Sequence, residues 1–171
     1  MERVAQPVKC RSAAAKMAYI PISITAMTIS PANIKGELRG CTGSAYAHQP
    51  LVSDVAENAF AAAFTDFRFR PLAASEAAVM RTEISLLTAP EPMKFSSEAD
   101  LLAQLVAGRD GLILKEGGQR GLFLPQVWQT LPEASAFLQQ LKVKAGIDPD
   151  AWPPDVEMER FEAAKAARND A

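Results

Sequence analysis

The chain has 171 residues, of which 49% are hydrophobic and 22% charged, and this size and composition are typical of one globular domain. Its formal net charge of −2 provides no overall positive field to attract nucleic acid or an anionic membrane surface. With two cysteines, one histidine and no run of 18 apolar residues, the sequence contains no zinc or iron–sulfur pattern, no disulfide framework and no membrane span. We therefore predict no metal, cofactor, nucleic acid or membrane as a ligand.

Residues 1–30 contain four basic residues against a single acid and are rich in Ala and Ser, a composition that organelle transit peptides share. No uninterrupted apolar core or cleavage site follows, so a cytoplasmic location is the preferred interpretation. We divide the chain into a divergent N-terminal segment (1–30), a main domain (31–163) and a polar C-terminal tail (164–171).

The first elements are predicted from periodicity. Alternating apolar residues over 20–29 indicate a strand, and after a turn residues 36–41 can return as its antiparallel partner. Ser53 is a potential N-cap for the helix that follows. The apolar face predicted for this helix consists of Val52, Val55, Ala59, Phe60 and Ala63.

In the middle of the chain, prolines, glycines and a potential helix cap mark the boundaries of the predicted elements. Arg81–Thr88 is apolar and followed by prolines, which predicts a strand. Ser97 with Asp100 three residues later resembles a capping box, so a helix is expected over 97–107. Apolar runs flank Gly117-Gly118, a dipeptide that permits a hairpin reversal.

The C-terminal part predicts one helix and one strand. A helix should begin near Pro132 and end at Gly146, and a strand should cover 156–161. Residues 163–171 are polar and helix-prone, and we expect them to fray. Hairpins combined with helices on short connections favour an α+β class with a mostly antiparallel sheet and flanking helices.

Four segments of the chain together resemble the AMMECR-type domain family. They are LRGCTGS (38–44), AFTDFRFRPL (63–72), EISLL (83–87), and GLFLPQVW (121–128) with FLQQLKVKAGIDPDAW (137–152). The resemblance implies an AMMECR-like fold of two intimately packed subdomains over the main domain. Microbial members are called protein A of the AmmeMemoRadiSam system, which implies Memo-like and radical SAM proteins as partners. The family brings no established reaction with it.

One hypothesis for the LRGC motif is a cysteine-dependent enzyme. In an extended segment Arg39 lies on the same face as Cys41, and a cation beside a thiol favours the nucleophilic thiolate, while Gly40 leaves the backbone open. Glu83 would complete a catalytic group of Cys41, Arg39 and Glu83, acting on a small metabolite or a modified protein. His48 could reach the thiol, although no spacing rule supports that pairing. The simpler alternative is that Cys41 is a small packing residue.

The other hypothesis is a recognition surface formed by the LRGC loop and residues 66–70. Arginines interleaved with phenylalanines can offer cations and stacking faces to a nucleotide or phosphate ligand, but such aromatic rings more often cap the core while the arginines pair with Asp66 or neighbouring acids. The candidate binding residues are Gly40, Gly43, Ser44, Asp66, Arg68, Phe69, Asp110 and Gln126. Dinucleotide, P-loop and serine-hydrolase motifs are absent from the sequence, and we favour the binding hypothesis.

Overall fold

The computed structural model describes residues 23–31, 38–77 and 79–167, which form two four-stranded antiparallel sheets. The first sheet contains β1 (Ser23–Pro31), β2 (Gly40–Thr42), β3 (Met80–Leu87) and β8 (Ala163–Ala167) in the order β2-β1-β3-β8. The second contains β4 (Glu91–Pro92), β5 (Gly111–Glu116), β6 (Gln119–Phe123) and β7 (Glu157–Phe161) in the order β4-β7-β5-β6.

In these described ranges, four α-helices accompany the sheets: α1 (Leu51–Phe64), α2 (Ala74–Ala77), α3 (Glu98–Gln104) and α4 (Ala134–Ala145). A 3-10 helix, Pro125–Gln129, follows β6. Every strand pair is antiparallel, which confirms the predicted α+β class. No helix in the described part of the chain combines the length and the apolar character needed to cross a membrane.

The first sheet is built around the N-terminal strand. β1 lies between β2 and β3, with Thr28 paired to Cys41 on one side and to Glu83 on the other. β1 therefore spans the boundary predicted at residue 30. Residues 20–22 of the predicted strand, and residues 36 and 37 of its predicted partner, lie outside the described residues.

The buried face of α1 differs from the predicted one. Val52 and Phe60 are 81% and 61% exposed, whereas Asp54, Asn58 and Ala62 are buried. The polar pair is tolerated because Asn58 Nδ2 donates to Asp54 Oδ1 at 3.0 Å. The predicted cap is also wrong, since the helix begins at Leu51 and has no side-chain cap bond.

Close contact with β2 explains the orientation of α1. A Cβ on Gly40 would overlap the backbone carbonyl oxygen of Ala62, so the helix backbone lies directly against the strand. Small residues at this crossing determine which side of α1 faces the sheet, and the larger apolar side chains are left on the outer side.

The second sheet carries most of the core. The predicted hairpin of β5 and β6 is confirmed, with positive φ angles of 52° and 89° at Gly117 and Gly118. α3 and α4 contribute to a cluster with the sheet, in which the rings of Trp128 and Phe137 stack at 4.0 Å. Its fully buried apolar members are Leu101, Leu112, Leu114, Phe137, Leu138 and Leu141.

The end of α3 and the C-terminal segment differ from their predictions. Ser97 caps α3 by accepting from the Asp100 amide at 3.1 Å, as predicted, but the helix ends at Gln104 rather than near 107. The helix-prone tail prediction is wrong for Ala163–Ala167, which pairs with β3 as an edge strand. Tertiary pairing overrides the local helical preference of this alanine-rich segment. β8 consequently crosses the boundary predicted at residue 164.

We predict that Gly40→Ala lowers the free energy of unfolding by about 1–3 kcal/mol, because the added methyl group forces α1 away from β2. Urea denaturation followed by circular dichroism measures the loss. Ser53→Ala is the control, since Ser53 is exposed and caps nothing, and its effect should stay below about 0.5 kcal/mol. Equal stability of Gly40→Ala and wild type would contradict the close packing described for this crossing.

Candidate functional site

The backbone of Cys41, on the outer edge of β2, is held by two side chains. Its amide donates to Asp66 Oδ2 at 2.9 Å, and its carbonyl oxygen accepts from Arg68 Nη2 at 2.8 Å. Arg68 also donates to Asp66 through Nε and Nη2, at 2.9 and 2.7 Å. Asp66 and Arg68 therefore satisfy the edge groups that a neighbouring strand would otherwise pair with. We call this arrangement the edge clamp.

Charge pairing in the edge clamp shifts the pKa values of both Asp66 and Arg68. Hydrogen bonding from Arg68, supported by the amide of Cys41, holds the pKa of the Asp66 carboxyl far below its ordinary value of 3.8. The pKa of Arg68 is raised, chiefly by its hydrogen bond to Asp66 and further by the charge of that carboxylate. The Asp66–Arg68 pair agrees with one of the two alternatives considered for this segment, and Arg68 contacts Cys41 through its backbone carbonyl oxygen.

Arg39 forms an ion pair with Glu76 of α2. Its Nε and Nη2 donate to the two carboxylate oxygens of Glu76 at 3.0 and 3.1 Å, and Nη2 also donates to the Pro71 carbonyl oxygen at 3.2 Å. This bidentate pairing lowers the pKa of Glu76 to about 2. β2 begins only at Gly40, so strict strand alternation does not extend back to Arg39.

Glu83 lies on the same rung of the first sheet as Cys41, with Thr28 of β1 between them. Paired residues of neighbouring antiparallel strands share a face, so Glu83 and Cys41 lie on one side of the sheet, roughly 10 Å apart. The Glu83 carboxylate forms an ion pair with Lys165 of β8 at 2.9 Å. Arg39 and Glu83, the residues expected to assist Cys41, are thus each paired with another charged side chain.

The LRGC strand and the segment after α1 together line a depression of about 330 Å³. Its lining residues are Cys41, Thr42, Ala61, Thr65, Asp66, Phe67 and Arg68. Phe67 is 95% exposed beside it. The Arg68 guanidinium lies 5.4 Å from the centre of the Phe69 ring. We call this feature the Cys41 depression.

One alternative for this segment placed its aromatic rings over the core. Phe64 and Phe67 are instead exposed, so neither ring caps the core.

The remaining candidates serve other contacts. Asp110 is fully buried, accepts from the Val106 amide at 2.9 Å and pairs with Arg109 at 2.8 Å, so it fixes the turn before β5. Gln126 donates to the hydroxyl of buried Ser85 at 3.2 Å and thus links the 3-10 helix to β3. His48 is exposed, with Nε2 3.7 Å from Asp54 Oδ1.

Two further candidates follow β2 directly. Gly43 is exposed and Ser44 is half-buried, and neither lines the Cys41 depression. Gly40 lies behind the site, against α1, so its role in the structure is close packing. Within the described ranges, no three His, Cys, Asp or Glu side chains come together in a way that could hold a metal ion.

Lys144 of α4 is a residue that the sequence did not single out. Its ammonium donates to the Leu122 carbonyl oxygen at 2.7 Å and lies 5.1 Å from the centre of the Phe123 ring. Desolvation by surrounding protein atoms lowers its pKa; the charge of Arg68 adds to this effect and Cys41 opposes it. The only sequence signal for Lys144 was its position within 137–152, one of the segments that carry the family resemblance.

Two packed antiparallel sheets and an edge cysteine clamped by an Asp-Arg pair define an α+β protein with a cysteine-centred surface site. The chain belongs to the AMMECR1 family, whose model matches residues 22–166. A protein of Methanothermobacter thermautotrophicus is 41% identical over 133 residues, covering 75% of this chain and 68% of that protein. Protein MJ0810 of Methanocaldococcus jannaschii is 40% identical over 133 residues, covering 74% of this chain and 64% of that protein.

The fold is similar to the crystal structure of the uncharacterized protein PH0010 from Pyrococcus horikoshii. The TM-score is 0.77 with 32% sequence identity, and the match covers 85% of this chain and 73% of that one. This likeness confirms the predicted fold. A third relative, from Thermofilum pendens, is matched over 55% of its length, so the chain spans between about half and about two thirds of these curated relatives.

We predict that Asp66→Asn lowers the free energy of unfolding at pH 7 by about 1.5–3 kcal/mol, because Arg68 and the Cys41 amide lose a charged acceptor. The folded-state pKa of Asp66 is depressed, so its stabilisation is complete above the ordinary value of 3.8 and declines as the pH falls below it. The difference between wild type and variant should therefore narrow from pH 7 to pH 3, as measured by urea denaturation.

The control for this experiment is Asp155→Asn, which changes an exposed carboxylate that forms no ion pair with a described residue. Its free energy of unfolding should follow that of the wild type at each pH. A difference between wild type and Asp66→Asn that stays constant down to pH 3 would show that the charge of Asp66 is not what stabilises the edge clamp.

Proposed function

We propose that this protein is a binding component that acts in the cytoplasm with Memo-like and radical SAM proteins through the Cys41 depression. The observation that carries the proposal is that two segments 25 residues apart, at Cys41 and Asp66, are hydrogen-bonded to form one concave surface. Arg68 and Phe67 supply an exposed cation and an exposed aromatic ring at that surface, and both residue types are enriched at protein interfaces.

The arrangement of charges favours binding over chemistry. Arg39 and Glu83, the two residues expected to assist Cys41, are paired with Glu76 and Lys165. The backbone of the site is fixed by the edge clamp before any partner arrives, and a rigid surface loses less conformational entropy on binding. The partners themselves are inferred from the resemblance to the AmmeMemoRadiSam protein A group.

A second candidate function is a cysteine-dependent enzyme with Cys41 as nucleophile, acting on a small metabolite or a modified protein. The specific observation in its favour is that the Arg68 guanidinium donates to the backbone carbonyl oxygen of Cys41 at 2.8 Å, which brings a cation to this residue. A cation near a thiol stabilises the thiolate, which is the nucleophilic form. In this hypothesis Arg68, rather than Arg39, is the cation that favours the thiolate form of Cys41.

We predict that Phe67→Ala weakens binding to the Memo-like or radical SAM protein of the same organism by about tenfold or more, because a central aromatic anchor is removed. Copurification identifies the partner, and titration calorimetry gives the dissociation constant. Phe60→Ala is the matched control, since Phe60 is 61% exposed but lies outside the Cys41 depression. Failure of either protein to copurify at physiological salt would count against the proposal.

Cys41→Ala separates the two candidate functions. A binding surface that loses one small side chain should keep its partner and its function in cells, with affinity changed by less than about tenfold. An enzyme that uses Cys41 as nucleophile should lose all activity while the circular dichroism spectrum stays unchanged. Complementation of a deletion strain by the variant is the measurement, and full loss with an intact fold would replace the binding proposal by the enzymatic one.

A further inference from the structure

Gln126 carries a buried polar atom that has no hydrogen-bond partner among the described residues. Its side-chain nitrogen, Nε2, donates to the Ser85 hydroxyl at 3.2 Å, but its side-chain oxygen, Oε1, is buried and accepts from none of them. Across the described ranges, no other buried side-chain nitrogen or oxygen is left in this state. A buried acceptor without a donor destabilises a folded protein, so such an atom indicates that a bound group completes it.

The Gln126–Ser85 contact lies at the margin of the packing between the two sheets. Ser85 shares one face of β3 with Glu83 and Leu87, because residues two apart in a strand point to the same side. Leu87 belongs to a buried cluster that also contains residues of β5 and β7 from the second sheet. Along this face of β3, the contact therefore follows directly after the core, and Glu83 lies beyond it.

The side of this contact away from the core is accessible and carries balanced charges. Glu83 forms an ion pair with Lys165 at 2.9 Å, and the two side chains are 37% and 45% exposed. Lys165 is the cross-strand partner of Ser85, so the ion pair lies next to the hydroxyl on the same face. A ligand can approach from this side, and because the two charges neutralise each other, the pair favours neither an anion nor a cation.

The polar atoms at this contact match an amide group. Gln126 Oε1 needs a donor, and the Ser85 hydroxyl, whose oxygen accepts from Nε2, can donate its own hydrogen. An amide is neutral and carries its N–H donor and its carbonyl acceptor on separate atoms, whereas water or a hydroxyl offers both from one oxygen. Turning the Gln126 carboxamide over would exchange its two ends, but one end would still lack a partner, and an amide ligand satisfies either arrangement.

We propose that Gln126 and Ser85 bind the amide group of a ligand at the margin between the two sheets, on the side of Glu83 and Lys165. The chemistry is that of a neutral amide, either a primary carboxamide of a small molecule or a peptide group of a partner. Neither Gln126 nor Ser85 lines the Cys41 depression, so this inference goes beyond the proposed function and does not rest on it.

The test is a titration of the whole protein with acetamide, which represents a primary carboxamide, and separately with N-methylacetamide, which represents a peptide group. Binding is followed by the NMR signals of the Gln126 side-chain NH₂ group and of the Ser85 amide. We expect saturation with a dissociation constant on the order of 10 mM or tighter. The probe that binds more tightly identifies the source of the amide. Sodium acetate, a charged probe of the same size, should leave these signals unchanged at constant ionic strength.

Gln126→Met removes both polar ends of the side chain and should weaken binding of the preferred probe by about tenfold or more. Ser85→Ala, which removes the second contact, should have a similar effect and keeps the test decisive if Gln126→Met does not fold. Gln140→Met is the matched control, because Gln140 is an exposed glutamine of α4, and its affinity should equal that of the wild type.

Three outcomes would overturn the inference. If neither probe saturates the signals, Oε1 is completed by ordered water only. If a folded Gln126→Met or Ser85→Ala variant binds as well as the wild type, the probe binds elsewhere. An equal response to acetate would show that the site does not select a neutral amide. None of these measurements involves a protein partner, so their failure would leave the proposed function as it stands.

Discussion

The exposed edge of β2 is the constraint on which the site depends. A strand edge without a neighbour leaves amide and carbonyl groups that need hydrogen bonds, and here Asp66 and Arg68 provide them for Cys41. The same pair brings the segment after α1 over the strand, and the close contact of Ala62 with Gly40 holds the helix on the other side. The Cys41 depression is a consequence of how this edge is covered.

Local sequence signals were sufficient for the elements that local interactions determine. The hairpin at Gly117-Gly118 and the Ser97 cap of α3 follow from backbone conformation and from one side-chain hydrogen bond. The face of α1 could not be predicted in this way, because a steric limit at Gly40, distant in sequence, excludes large side chains from the interface. Ala163–Ala167 likewise became a strand only because β3 offers an edge to pair with.

The site shows the same division between local and distant causes. The pairing of Asp66 with Arg68 was one of the alternatives that the sequence offered for this segment, and the two residues are close in the chain. Which arginine would act on Cys41 was not predictable, because Glu76 lies 37 residues from Arg39 and binds it through two hydrogen bonds. The position of Lys144 likewise depends on how α4 packs against β6, because its ammonium donates to the Leu122 carbonyl oxygen.

Overall charge and local charge lead to different conclusions about ligands. A net charge of −2 argues against an extended anionic partner such as nucleic acid, which requires a broad positive surface. A single oxyanion requires only two or three donors in a partly desolvated place, and this can exist on a negative protein. The composition of the chain therefore argues against the first class of ligand and leaves the second open.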